Sequence, residues 1–323
     1  MRKSVHAALG LGAALTLAVS GCGALNPTSG AAEGPGAPRG VVTMIVPFSA
    51  GGGSDLSGRA MASGLEASTG GTVTVQNVVG GSGAIGYAQL LGDAGKAGTL
   101  LASETALMTL PVVQDVPFDY TSFTPVMKAG DDYNLVIVGR DSPWQTCTDV
   151  IDAARTASLA AAVSGSTGPD NIAWTLIENE EDIELQRVTF ESSAEVTTAL
   201  LGGNVDVAAA SPGEVLGQLQ SGDVRALCAL APERYQYPEL ADVPTGGEQG
   251  IDVTFAQWRG FIGPPEMPEE SRQYWMEAAR EWSRTADYTD YIESNFMQPS
   301  ALYGDEFTDY LSDYDADVRE ALS

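Results

Sequence analysis

Short apolar segments alternate with helical patterns along most of this chain. The β-branched run Val41–Val46 predicts a strand, and Ser54–Leu65 has the spacing of an amphipathic helix. Further strands are predicted at 72–75, 100–102, 135–138, 159–163, 205–209 and 224–230. Helices are predicted at Ile172–Asn179, Ser192–Leu201 and Glu214–Gln220. This alternation is typical of an α/β architecture with parallel sheets.

The C-terminal region has a different pattern. A helix is predicted after Pro268, with Tyr274, Ala278 and Trp282 on one face. A second amphipathic helix is predicted over 307–322. No strand is predicted beside these helices, so we expect them to pack on a sheet that forms earlier in the chain.

The N-terminus has the pattern of an export signal. Arg2 and Lys3 precede the apolar stretch Ala7–Val19, whose 13 residues are too few to cross a bilayer as a helix. Small residues then lead to Cys22, as in a lipoprotein signal, with an ordinary signal peptide as the alternative. We therefore predict a signal peptide at 1–21, and an acylated Cys22 with a disordered tether at 22–40.

Histidine is almost absent from the sequence. The single histidine, His6, lies in the predicted signal peptide, which excludes His-based nucleophilic catalysis and His-ligated zinc in the exported part. We expect no catalytic residues, no metal site, no cofactor and no enzymatic activity. The competing hypothesis is an acid/base enzyme that uses carboxylates such as Asp55, Glu104 or Glu191.

Charge and cysteine content restrict the partners and the compartment. The net charge of −27 leaves no basic surface for nucleic acid, although screening over about 8 Å still permits an anionic ligand. After Cys22, only Cys147 and Cys228 remain. In an oxidising compartment this pair favours a disulfide, with two buried free thiols as the alternative.

Two glycine-rich loops join predicted strands to predicted helices. Val46–Asp55 contains Gly51-Gly52-Gly53, and Ser164–Asn171 contains two further glycines. Exposed N–H groups at a helix start favour an anion, so two such loops suggest a carboxylate held between two domains. Gly81–Gly86 fits G-x-G-x-x-G, but a strand already precedes the first glycine loop, which argues against a dinucleotide fold.

The order and spacing of several motifs resemble the receptors of tripartite tricarboxylate transporters, the Bug-type solute-binding proteins. The resemblance extends from about Val41 to Phe307. The motifs that carry it are Ile45–Asp55 with Arg59 and Leu65, Val75–Asn77, Gly80–Gly86, Asp119-Tyr120, Phe123–Val126, Ser164–Gly168, Leu201–Val207, Gly222–Leu227, Asp242–Thr245 and Trp258–Phe261.

The resemblance implies a two-domain periplasmic-binding-protein fold of the Venus-flytrap type. Domain 1 would contain residues 41–138 and 258–323, and domain 2 would contain 139–257, each with a mostly parallel sheet flanked by helices. Ligand binding is expected from Phe48, Ala50, Gly51, Gly52, Ser54, Asp55, Asn77, Gly83, Thr105, Ser164, Gly165, Ser166, Thr167, Gly168, Asn171, Phe190 and Ser211.

The implied protein is a monomer that is lipid-anchored on the extracytoplasmic face of the cell membrane. It would capture a carboxylate and deliver it to the permease subunits of a tripartite tricarboxylate-type transporter. Glu191 replaces a lysine of the family pattern and would repel a second carboxylate. An amino acid or another zwitterion, whose ammonium meets Asp55 or Glu191, is therefore the alternative ligand. A ligand sensor for a membrane signalling protein is the alternative role.

Overall fold

The computed structural model describes residues 34–165, 168–190 and 192–322. The predicted signal peptide, Cys22, Ser166, Thr167 and Glu191 lie outside these residues. None of the helices in the described part of the chain is both long and apolar enough to cross a bilayer.

The first segment alternates strands and helices, as predicted. Its elements are β1 (Val42–Val46), α1 (Gly53–Thr69), β2 (Val73–Asn77), α2 (Ala84–Leu91), β3 (Thr99–Glu104), α3 (Ala106–Val113) and β4 (Thr124–Tyr133). Helix α1 ends at Gly70, whose φ of 67° is a left-handed conformation that glycine adopts without strain.

The middle segment repeats this alternation. Its elements are β5 (Leu135–Gly139), α4 (Cys147–Ala154), β6 (Ala160–Ser164), α5 (Pro169–Glu181), β7 (Gln186–Phe190), α6 (Ser193–Leu201), β8 (Val207–Ala210), α7 (Pro212–Ser221) and β9 (Val224–Ala229). Helices α5 and α7 each begin with a proline. Proline has no backbone N–H, but at the first position of a helix this group would have no partner within the helix.

The last segment returns to the first sheet, as expected for its helices. Its elements are β10 (Ala256–Gly263), α8 (Glu269–Trp282), α9 (Ala286–Ser294), β11 (Gln298–Tyr303) and α10 (Asp305–Ala321). Strand β11 between α9 and α10 shows that the prediction of no strand in this region was wrong. This strand pairs only with β4 at the sheet edge, so its sequence carries little apolar signal.

Two sheets form the cores of two lobes. The first lobe has the strand order β11-β4-β10-β3-β1-β2, and the second lobe has β7-β6-β8-β5-β9. The predicted α/β fold with two domains is confirmed. The predicted mostly parallel pairing is wrong, because β4, β5, β10 and β11 run antiparallel to their neighbours and make both sheets mixed.

The chain crosses between the lobes twice. The first crossing is at Asn134, so the predicted boundary after Val138 falls inside β5 of the second sheet. The second crossing leads into β10 at Ala256, two residues before the predicted return at Trp258. Tyr235, which lies after β9 in the second lobe, donates from its Oη to the Tyr133 carbonyl at 2.8 Å and so ties that lobe to the end of β4.

Cys147 and Cys228 form a disulfide, as predicted from an even pair of cysteines in an oxidising compartment. Cys147 begins α4 and Cys228 lies in β9, so the bond fastens α4 to the edge of the second sheet. The two residues are 81 apart in the chain, and in the chain-entropy model such a bond stabilises the fold by about 4 kcal/mol.

Candidate functional site

Asp55 holds the first glycine-rich loop from the first turn of α1. Its carboxylate accepts hydrogen bonds from Gly51 N–H at 2.9 Å, Arg59 Nε at 2.9 Å and Asn77 Nδ2 at 2.9 Å. Burial alone would raise the pKa of Asp55, but these hydrogen bonds outweigh it and hold the pKa below its ordinary value. The loop is therefore fixed by an ionised side chain that faces inward.

The fixed loop presents its backbone to solvent. Ala50, Gly51 and Gly52 are exposed, while Phe48 is half-buried. The first turn of α1 also leaves N–H groups that have no helical acceptor. Backbone donors are thus available to an anion at this point.

The G-x-G-x-x-G match serves packing beneath the same loop. A Cβ on Gly86 would lie 2.7 Å from Pro47 Cβ, and a Cβ on Gly83 would lie 3.2 Å from the Phe48 ring. Gly83 also has a φ of 100°, which strains any residue with a side chain. These glycines let α2 pack against the loop, which accounts for the motif without a dinucleotide.

Asp170 holds the two ends of the second glycine-rich loop in a similar way. The Asp170 carboxylate accepts from Ser164 N–H at 2.6 Å, Ser164 Oγ at 3.0 Å and Asn171 N–H at 2.9 Å. A Cβ on Gly168 would lie 2.3 Å from Asp170 Oδ1, so glycine is required there. Burial raises the pKa of Asp170 to about 6, although its hydrogen bonds act in the opposite direction.

Several other predicted site residues serve mainly as supports. Thr105 is fully buried and shares a hydrogen bond with Tyr314 Oη at 2.9 Å. Asn171 Oδ1 accepts from Arg187 Nε at 3.1 Å. Phe190 is half-buried and packs on the core of the second lobe. These contacts position the loops and strand ends around the cleft.

A buried ion cluster lies at the ends of β3, β10 and β4. Arg259 is opposite Glu104 in the strand register and donates to its Oε2. Arg259 also donates to Asp132 Oδ2 at 3.0 Å. Ser54 Oγ donates to Glu104 at 2.8 Å, and Ser211 Oγ donates to Asp132 at 2.8 Å. The cluster thus joins the first loop to the start of α7 in the second lobe.

The charge states in this cluster follow from burial and pairing. Burial alone would lower the pKa of Arg259, but the carboxylates of Glu104 and Asp132 raise it above its ordinary value. Burial raises the pKa of Asp132 even though Arg259 and Ser211 act in the opposite direction. Arg259 is therefore a permanent cation whose charge is already matched by two acids.

Glu214 places a third carboxylate between the two loops. Its Oε1 lies 3.5 Å from the position that a Cβ on Gly53 would occupy. The pKa of Glu214 is raised to about 7, because surrounding protein removes hydration and because Asp132 and Asp170 add negative charge. Its side chain remains open to solvent, which marks this point as a cleft between the lobes.

Sequence reasoning located the loops and missed three side chains that define the site. Asp170 could have been found from its place in the first turn after a glycine loop, as Asp55 was. Arg259 and Glu214 gave no such signal, because their partners come from distant segments and from the opposite lobe. Ser166, Thr167 and Glu191 lie outside the described residues, so their predicted roles stay predictions.

A second cavity lies between the lobes on the other face of the first sheet. Its volume is about 520 Å³, which is within the range of roughly 300–1,000 Å³ that is usual for small-molecule pockets. Its walls come from α5, the segment Asp252–Ala256 and α10. No described residue of either glycine-rich loop lines this cavity.

The comparisons with known proteins agree on one family. The family described as the tripartite tricarboxylate transporter family receptor matches residues 58–318. Protein BugT of Bordetella pertussis is 28% identical over 231 residues, covering 69% of this chain and 70% of that protein.

Solved structures share the fold. MatC from Rhodopseudomonas palustris with bound malate has a TM-score of 0.77 at 19% identity, covering 88% of this chain and 99% of that one. An R. palustris protein with adipate has a TM-score of 0.80 at 22% identity, covering 88% and 98%.

Asp55→Asn should loosen the first loop. Asparagine keeps one acceptor oxygen but turns an amide toward donors, so the free energy of unfolding should fall by about 2 kcal/mol. Hydrogen exchange of the Gly51 amide, which donates to Asp55, should rise more than elsewhere. Asp93→Asn removes a surface partner of Lys96 and should cost under about 1 kcal/mol. Unchanged exchange of the Gly51 amide in Asp55→Asn would contradict this role.

Glu214 should make stability depend on pH. Its pKa in the folded state, about 7, lies above the ordinary carboxyl value, so the folded state holds a proton that the unfolded chain has released. Stability without ligand should therefore fall as pH rises from about 5 to 7. Glu214→Gln should match the wild type in Tm near pH 5 and exceed it near pH 7.5. Parallel Tm profiles for the two proteins would contradict the assignment.

Proposed function

This chain belongs to the tripartite tricarboxylate transporter family of receptors, and from this membership we propose that it captures a small carboxylate and delivers it to a membrane permease. The family is one of solute-binding receptors. The observation that carries the proposal is the pair of glycine-rich loops, one in each lobe, that border the cleft at Glu214.

Backbone donors support a carboxylate as the bound group. Asp55 fixes the first loop and Asp170 holds the Ser164 end of the second, so these parts of the backbone need little ordering when a ligand binds. Charge-assisted hydrogen bonds to a carboxylate contribute about 1.5–3 kcal/mol each. Relatives of this fold were solved with malate and adipate, which are carboxylates.

The proposed setting is the outer face of the cell membrane. Residues 1–21 would direct export, and acylation of Cys22 would anchor a monomer through the tether that follows. A closed, ligand-bound receptor would then meet the permease subunits at the membrane surface. Ligand would favour closure through its higher affinity for the closed state.

We propose that the protein performs no chemistry on its ligand. His6 is the only histidine, and it lies in the predicted signal peptide. Asp55 and Asp170 are committed to holding the loops, and Glu104 is committed to Arg259 and Ser54. The proposed role is therefore capture and release of an unchanged solute.

A ligand screen by thermal shift tests this function. At least one compound in a panel of monocarboxylates, dicarboxylates and amino acids should raise Tm by several degrees at saturating concentration. Mass spectrometry should recover that compound unchanged after incubation. Failure of every compound to stabilise the protein, or conversion of the bound compound, would contradict the proposal.

Matched glycine variants test the two loops. Gly51 and Gly165 have φ values of 90° and 81°, and a Cβ at either position would meet open space. Gly51→Ala and Gly165→Ala should strain their loops and weaken binding by about tenfold. Gly95→Ala and Gly222→Ala have the same backbone strain in turns that lie elsewhere, and they should lower Tm without changing affinity.

A further inference from the structure

We propose that the ligand carries a positively charged nitrogen close to its carboxylate, and that Glu214 recognises this nitrogen. This inference rests on the proposed function, because it names the class of solute that the same cleft takes. It makes Glu214 the residue that determines specificity for α-amino acids and other short zwitterions over plain organic acids.

The charge of the cleft favours a cation at this position. Arg259 contributes one positive charge, while Glu104, Asp132 and Glu214 contribute three negative charges when ionised. Both nitrogens of Arg259 that form ion pairs are already occupied by carboxylates. A second carboxylate on the ligand would find no free guanidinium here and would face like charge.

Glu214 is the acid of this cluster that a ligand can reach. Asp132 is 4% exposed and its Oδ1 is buried, so a group in the cleft cannot contact that oxygen. Glu214 receives a hydrogen bond from Ser193 and otherwise faces the solvent of the cleft. An ammonium group offers three N–H donors to such an exposed carboxylate.

Other acids around the cleft are less suited to this role. Asp55 accepts from Gly51, Arg59 and Asn77, and Asp170 accepts from Ser164 and Asn171. Their oxygens are thus used to hold the loops. Asp55 was one of the two partners for an ammonium that the sequence suggested, and the structure favours Glu214 in its place.

The distance between Glu214 and the first loop sets the shape of the ligand. Glu214 Oε1 lies 3.5 Å from a Cβ position on Gly53, at the start of α1. A carboxylate bound at the N–H groups of this loop would therefore be only a few ångströms from the carboxylate of Glu214. An α-amino acid, whose two charged groups share one carbon, fits this spacing better than a long ω-amino acid.

Matched ligand pairs provide the test. Binding is measured by calorimetry at pH 8, where Glu214 is ionised, for L-glutamate against glutarate, L-aspartate against succinate and L-leucine against 4-methylpentanoate. In the pair that binds, the amino acid should bind at least about tenfold more tightly than its partner without the amine.

Variants then assign the preference to Glu214. Glu214→Gln should reduce the ratio of affinities within the pair by about tenfold, and Glu214→Asp should retain part of it. Glu281→Gln, which removes an exposed charge from α8, should leave the ratio unchanged.

The outcomes separate the two proposals. Equal or tighter binding of the acid without the amine, or an unchanged ratio in Glu214→Gln, would overturn this inference while leaving carboxylate capture intact. If no member of any pair bound and the wider carboxylate panel also failed, the proposed function itself would fall.

Discussion

The site depends on a single buried guanidinium. Arg259 lies on β10 between Glu104 of β3 and Asp132 of β4, and all three side chains are at least nine-tenths buried. Removing one partner from such a cluster leaves an uncompensated buried charge, which costs about 3–5 kcal/mol. Through Ser54 and Ser211 the same cluster fixes the start of α1 and the start of α7 in opposite lobes. The floor of the cleft is therefore rigid and negatively charged.

The two loops above this floor share one construction. In each, an aspartate in the first turn of the following helix accepts an N–H group of the loop, and in the second loop Gly168 allows the close approach of this aspartate. The aspartate side chains thus hold the loops, and the remaining backbone N–H groups are available to bind a ligand. The described parts of both loops are thus held in place before a ligand binds, and specificity is left to the few side chains, such as Glu214, that face the cleft.

Much of the fold could be predicted from sequence because its central strands are apolar on both faces. The strands Val42–Val46 and Leu135–Gly139 are buried between neighbouring strands. Their continuous apolar residues indicate this burial in the sequence itself. Strands β4 and β10 were harder, since Asp131, Asp132 and Arg259 read as surface residues until their partners across the sheet are known. The glycine-rich loops could be predicted because their pattern is local in the sequence. The balance of charges between the lobes could not be predicted, because it depends on tertiary contacts.

The most direct measurement is a crystal structure of the protein with the amino acid that it binds most tightly. The carboxylate should lie at the N–H groups of the first loop and at the Ser164–Gly165 end of the second, with the ammonium within hydrogen-bond distance of Glu214. A ligand in the cavity between α5 and α10, or one whose carboxylate faces Glu214, would contradict this account.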